Sequence, residues 1–177
     1  MNRAQLVLAR CDAAEYRFCR GLNRIAACAP FRHLMRLASR LGDGPFWICL
    51  LAALPLLHGV GAIRPALAMA ATGVVGHLLY SRLKLTLVRE RPFTRHAGIQ
   101  LAMVPLDRYS FPSGHTLHAV AFAWQASALD HALAWLLVPL AALIALSRVV
   151  LGLHYPTDVI AGAALGALLA AAGLALA

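Results

Sequence analysis

Charged side chains are scarce in this chain, and acidic ones scarcer still. Only 13% of the 177 residues are Asp, Glu, Lys or Arg, and just seven are acidic. An ordinary soluble domain carries about a quarter charged residues, so this surface is not built chiefly for water. The shortage of acid leaves 16 basic residues and a net charge of +9. That excess could suit a nucleic acid. Nearly all the basic residues, however, flank apolar segments or lie between them, as in membrane proteins, and this argues against nucleic acid as a partner. The four cysteines, Cys11, Cys19, Cys28 and Cys49, contain no C-x-x-C pair and no metal spacing with histidine. They read as small apolar side chains or reduced thiols. The first 30 residues have no apolar h-region, so no cleavable signal is expected. No internal repeat is present.

What abounds is apolar surface. Hydrophobic residues make up 61% of the chain, and the mean hydropathy is +0.72. The length suits one domain with room for spans of about 20 residues each. The reading is an all-α, polytopic membrane helix bundle with about five transmembrane helices. Candidate spans are Phe46 to Ile63, Pro65 to Tyr80 (with the helix running on towards Val88), His115 to Leu129, Ala132 to Val150, and Val159 to Ala177. The small-residue run AGAALGALLAAAG in the last suits close helix packing.

Residues 1–43 are too charged to span. Arg3, Arg10, Arg17 and Arg24 recur every seven residues, and after Pro30, Arg32, Arg36 and Arg40 recur every four. Phe31, Leu34, Met35, Leu37 and Leu41 fall towards the other side. Two amphipathic interfacial helices on an anionic lipid surface explain the pattern; a charged face packed on the rest of the protein is the alternative. The chain thus divides into 1–43, interfacial, and 44–177, transmembrane.

Three clusters carry chemistry. In KLTLVRERP (84–92), a helix continuing from the second span would place Lys84 and Arg91 on one face, with Pro92 ending it. In FPSGH (111–115), Pro112 breaks the chain, Ser113 is a good N-cap, and Gly114 lets a ligand approach the backbone. The free N–H groups of that turn suit an anion, with His115 beside it. His118, one turn on, reads as a packing or hydrogen-bonding residue. In SRVVLGLHYPTD (147–158), Arg148 closes a span and His154 precedes Asp158 by four. That spacing allows an imidazole–carboxylate pair that leaves one ring nitrogen as a nucleophile. All three ends fall on one side of the membrane. The single long connection, 89–112, holds prolines, arginines, Asp107 and Tyr109, and loops of this length tend to carry function.

These stretches resemble the signature of the type 2 phosphatidic acid phosphatase (PAP2) superfamily. K-x6-RP is matched by Lys84, Arg91 and Pro92, PSGH by Pro112 to His115, and SR-x5-H-x3-D by Ser147, Arg148, His154 and Asp158. The resemblance implies a metal-independent phosphatase without cofactor. His154 would be the nucleophile that takes the phosphoryl group, Asp158 its orienting carboxylate, and His115 the general acid. Lys84, Arg91, Ser113, Gly114 and Arg148 would cradle the phosphate. It also implies a lipid phosphate as substrate, with undecaprenyl diphosphate as the first reading. Phosphatidic acid, phosphatidylglycerol phosphate, lipid A, or transfer to another acceptor are the alternatives, and a non-enzymatic lipid-binding protein is the rival from another class. The motifs leave the lipid tail and the oligomeric state open.

If the five spans hold, 15 of the 16 basic residues share the catalytic face, and Arg64 alone lies opposite. Without Lys84, Arg91 and Arg148 the count is 12 against one. The positive-inside rule then puts the site on the cytoplasmic face of a bacterial-type inner membrane. Many phosphatases resembling this one act on the outer, periplasmic face, which is the alternative.

Overall fold

The computed structural model describes residues 3–176, with the side chains of Arg3, Ala4, Ala9 and Ala13 outside the description. The arginine stripe is therefore followed from Arg10 onwards. Ala177, the last residue of the expected fifth span, also lies outside the described residues.

Eight α-helices account for almost all the regular structure among those residues. They are α1 (Arg3–Asn23), α2 (Ala29–Leu41), α3 (Gly44–His58), α4 (Ile63–Leu87), α5 (Pro92–Arg95), α6 (Gly114–Leu129), α7 (Ala134–Val150) and α8 (Pro156–Leu176). Proline opens several of them. Pro30, Pro45 and Pro92 each lie in the first turn of their helix, where a missing N–H costs nothing. Ser113 caps α6, its side chain accepting from the Thr116 N–H.

α6 is the axis of the bundle, with α4, α7 and α8 packed around it. Leu117, Ala119, Ala121 and Ala126 on it are fully buried. Against it, α8 presents Gly162 and Gly166. A Cβ built at Gly162 would fall 2.5 Å from the Ser113 carbonyl oxygen, and one at Gly166 would collide with that of Leu117. The small-residue run therefore brings two backbones into contact. A core of Trp47, Leu54, Met69, Phe122, Leu137 and Ile144 fills the space between α3, α4, α6 and α7. Outward-facing Leu56, Leu57, Leu67, Leu78, Trp135, Leu136 and Leu168 are all more than half exposed, an apolar exterior suited to lipid.

Helices stand at all five expected positions, but length and composition do not make five spans. Val60–Arg95, His131–Val150 and Pro156–Leu176 each suffice to cross a membrane, and α2 with α3 forms a fourth if that pair, bent by 53°, counts as one span. α6 is 16 residues, about 24 Å at 1.5 Å per residue. That is shorter than the ~30 Å hydrocarbon core, and α6 is enclosed by its neighbours. α3 has only 15 residues.

The N-terminal helices pack on the bundle at its site end. Cys19, Ala26, Met35 and Ala38 are buried. Asn23 donates to the carbonyls of Gln100 (2.9 Å) and Val150 (3.0 Å) and accepts from the Gln100 N–H (2.8 Å). α1 also keeps Val7 and Phe18 exposed, and α2 keeps Phe31, Leu34 and Leu37 exposed. All four cysteines are free.

Candidate active site

The expected run of one helix from Lys84 to Arg91 does not occur. α4 ends at Leu87 because Val88 turns left-handed (φ 49°), its N–H closing onto the Lys84 carbonyl. Pro92 then starts α5 rather than ending α4, and Arg91 is the N-cap. The two cations share no helix face. They meet instead across Asp107, on the long connection. Lys84 Nζ donates to both carboxylate oxygens at 2.8 Å, and Arg91 Nη2 donates to Oδ1 at 2.9 Å. Burial alone would raise the Asp107 pKa, but Lys84 and Arg91 outweigh it and hold the carboxyl below its ordinary range.

Arg91 is buried and also reaches the third cluster. Its Nη1 donates to the Leu153 carbonyl (2.8 Å) and lies 3.2 Å from His154 Nε2. His154 sits in the tight turn after α7. Gly152 makes that turn possible, with φ +77° and the Gln100 carbonyl 2.7 Å from where a Cβ would stand. On the other side of the imidazole, Nδ1 faces Asp158 Oδ2 at 3.5 Å. Burial first, then Arg91, Arg148, Lys84 and His115, drive the His154 pKa well below its usual value. Arg91 donates towards Nε2, which leaves the ring proton on Nδ1, facing Asp158 but without a hydrogen-bond partner among the described residues.

Arg148 is buried and touches Ser39 Oγ through Nη1. Its Nε is buried without a hydrogen-bond partner among the described residues. His115 pairs through Nε2 with Asp43 Oδ1 at 2.8 Å, so each of the two site histidines faces a carboxylate. Ser113 is fully buried, and its N–H donates to the Asp158 carbonyl (3.0 Å), joining the α6 mouth to α8. A Cβ on Gly114 would stand 3.0 Å from the Tyr80 ring, so this glycine admits an aromatic side chain. His118 Nε2 donates to the Gly73 carbonyl at 3.1 Å and its ring stacks on Phe122, a packing position.

The structure thus brings together Lys84, Arg91, Arg148, His154 and Asp158, with Ser113, Gly114 and His115 at the adjoining helix mouth. Sequence reasoning missed Arg89, Asp12, Glu15, Asp43 and Ser39, and it noted Asp107 only as part of a loop. Arg89 is buried and bonds Asp12, Glu15, Thr157 and Asp158. The missed signal was the scarcity of acid: six of the seven acidic residues, Asp12, Glu15, Asp43, Glu90, Asp107 and Asp158, stand at this end of the bundle. No three His, Cys, Asp or Glu side chains among the described residues gather as a metal-ligand set.

Chemically, this is a helical membrane bundle with a pocket of fixed cations around a neutral, carboxylate-backed histidine, an arrangement suited to phosphoryl groups. The chain belongs to the PAP2 superfamily, whose model matches residues 61–177. It is 38% identical over 117 residues to the decaprenylphosphoryl-5-phosphoribose phosphatase of Mycolicibacterium smegmatis, covering 66% of this chain and 62% of that one. It is 31% identical over 111 residues to the undecaprenyl-diphosphatase BcrC of Bacillus subtilis, covering 63% and 57%. The crystal structure of Aquifex aeolicus LpxE superposes with a TM-score of 0.79 at 25% identity, over 92% of this chain and 95% of that one. The chain spans less than two thirds of the length of these two curated relatives.

Proposed function

We propose that the protein is a metal-independent lipid phosphate phosphatase that works through a phosphohistidine, with a polyprenyl phosphate or diphosphate as substrate and undecaprenyl diphosphate as the first choice. The observation that carries this reading is the buried His154 imidazole, set between Asp158 and Arg91 with Lys84 and Arg148 nearby. Polyprenyl chains recur in the names of the two curated relatives above, which is the ground for testing that tail first.

In the proposed reaction His154 Nε2 attacks phosphorus. The N–P bond forms as the P–O bond to the leaving group breaks, and His115 supplies the proton to the departing oxygen. Asp158 stabilises the imidazole as positive charge develops. Water then attacks the phosphohistidine, His115 takes its proton, and inorganic phosphate leaves. Lys84, Arg91, Arg148 and the N–H group of Gly114 neutralise the equatorial oxygens, the Ser113 N–H being held by the Asp158 carbonyl. Phosphate must displace the Asp107 carboxylate, because all three Lys84 donors are already engaged, by Asp107 and the Tyr109 carbonyl.

Residues 1–43 complete the reading as an interfacial segment on anionic lipid, exposed Phe18, Phe31, Leu34 and Leu37 facing the headgroups while Arg32 and Arg36 donate to the Ala26 and Ala102 carbonyls. On a five-span layout the charge count supports the cytoplasmic face, with the periplasmic face as the alternative. The functional test is phosphate release in EDTA from undecaprenyl diphosphate, phosphatidic acid, phosphatidylglycerol phosphate and lipid A in parallel. Preference for the polyprenyl substrate supports the reading. Preference for another lipid replaces the tail assignment, and release only in the presence of an added divalent ion overturns the mechanism.

A further inference from the structure

Arg89 lies outside the signature residues, yet it is the most heavily engaged cation in the structure. Its side chain is 1% exposed. Nη1 donates to Asp158 Oδ1 at 2.5 Å and to Thr157 Oγ1 at 2.7 Å. Nε donates to Asp12 Oδ1 at 2.8 Å, and Nη2 to Glu15 Oε2 at 2.9 Å. The Tyr155 ring lies against the guanidinium at 4.2 Å. Arg89 therefore grips α8 with one nitrogen and α1 with the other two.

α1 also acts on α8 directly. Glu15 Oε1 accepts the Thr157 N–H at 2.7 Å, and Glu15 Oε2 accepts the Thr157 hydroxyl at 2.8 Å. A carboxylate from a distant helix thus caps the first turn of α8, the turn that carries Asp158. The Asp158 carboxylate is then fixed at both oxygens. Oδ1 is held by Arg89, while Oδ2 accepts the Tyr155 N–H at 2.8 Å and faces His154 Nδ1.

We propose that Arg89 is a positioning residue for the phosphoryl-transfer reaction, and that α1, through Asp12 and Glu15, is part of the apparatus that orients Asp158 behind His154. This rests on the phosphohistidine reading above. Energetics favours a positioning role over a purely structural one. A buried ion cluster gives little net stability compared with well-packed apolar side chains of the same volume. What it supplies is direction. The planar fork of an arginine reaches three acceptors in fixed geometry, which the single ammonium of a lysine does not. Supports one step removed from the reacting group typically matter by about 10–100-fold.

The experiment compares wild type, Arg89→Lys, Asp12→Asn/Glu15→Gln, and the triple variant Asp12→Asn/Glu15→Gln/Arg89→Gln on the lipid phosphate that wild type hydrolyses. Arg89→Lys keeps a cation among the carboxylates and so guards against loss of the fold, while the triple variant removes Arg89 together with its α1 partners, and its fold is checked by thermal unfolding. The expected result is that Arg89→Lys and the triple variant lose about 10–100-fold in kcat with KM unchanged, with slower phosphoenzyme formation, and that the double variant loses kcat in the same way but less. A kcat within about twofold of wild type in Arg89→Lys or in the folded triple variant overturns the role of Arg89. An unchanged kcat in the double variant overturns the role of α1. His154→Ala, run alongside, separates the two levels: full turnover there overturns the phosphohistidine reading itself, whereas its loss beside active Arg89 variants overturns this inference alone.

Discussion

Gly162→Ala puts the geometry of the site under direct strain. Gly162 lies one turn beyond Asp158, so both face α6. An added Cβ would stand 2.5 Å from the Ser113 carbonyl oxygen, where side-chain carbons keep beyond about 3.0 Å and prefer 3.4 Å or more. The helices must therefore separate by roughly 0.5–0.9 Å at this point, and the obstacle is backbone that cannot rotate away. The same junction carries the bond from Ser113 N–H to the Asp158 carbonyl. The displacement thus falls between the α6 mouth with His115 and the turn with His154 and Asp158. A misplacement of about 1 Å in a reacting constellation costs on the order of 10²-fold in rate, so kcat is expected to fall about 10–100-fold. Overpacking adds about 1–3 kcal/mol of destabilisation. The assay is phosphate release by purified protein, paired with thermal unfolding. Gly61→Ala is the control, since nothing lies within 4 Å of its added Cβ. Wild-type kcat and melting in Gly162→Ala, or an equal loss in Gly61→Ala, would refute the argument that the α6–α8 approach sets the site.

Other predictions follow from individual contacts. His118→Ala is expected to retain most activity while His115→Ala loses it, and equal losses in the two kinetic assays would contradict the packing role of His118. Asp158→Asn is expected to leave a trace of turnover, because the nucleophile survives but is misdirected; wild-type rates would remove Asp158 from the mechanism. Asp107→Asn is expected to strengthen inhibition by vanadate several-fold, since the carboxylate competes for the Lys84 and Arg91 donors; weaker inhibition would mean that Asp107 builds the cradle and does not compete with the ligand. Stability is expected to fall with acid in two windows. His154 stays neutral in the folded state while the unfolded chain takes a proton below about pH 6.5, so stability drops from there downward by at most about 1.4 kcal/mol per pH unit. Asp107, held below the ordinary carboxylate range, contributes above that range and loses its contribution as pH falls through its lowered pKa. Melting curves against pH should show a shallower upper slope in His154→Gln, where His96 still contributes, and a shallower lower one in Asp107→Asn.

The helices were legible because their apolar stretches are long and bounded by Pro, Ser and Gly, and α6 began one residue from the expected position. Span number was not legible. A mostly enclosed helix such as α6 is as apolar as a lipid-facing one, so hydropathy does not tell enclosure from insertion. The signature residues were legible as motifs of fixed spacing, and the structure gathers them at one end of the bundle. Their supports were not, because they come from distant segments. Glu15 reaches Thr157 across 142 positions and Asp12 reaches Arg89 across 77. The turn at Val88 also escaped notice, since a β-branched residue gives no cue for a left-handed cap. That turn moves Arg91 off the α4 face and towards His154.

The most direct test of the central claim is to trap the phosphoenzyme. Protein incubated briefly with labelled lipid phosphate and quenched in alkali should carry one label, stable in base and lost in acid as a phosphohistidine, mapped by mass spectrometry to His154 and absent from His154→Ala. Label on another residue, label that persists in His154→Ala, or turnover by wild type with no covalent label at any quench time would contradict the account.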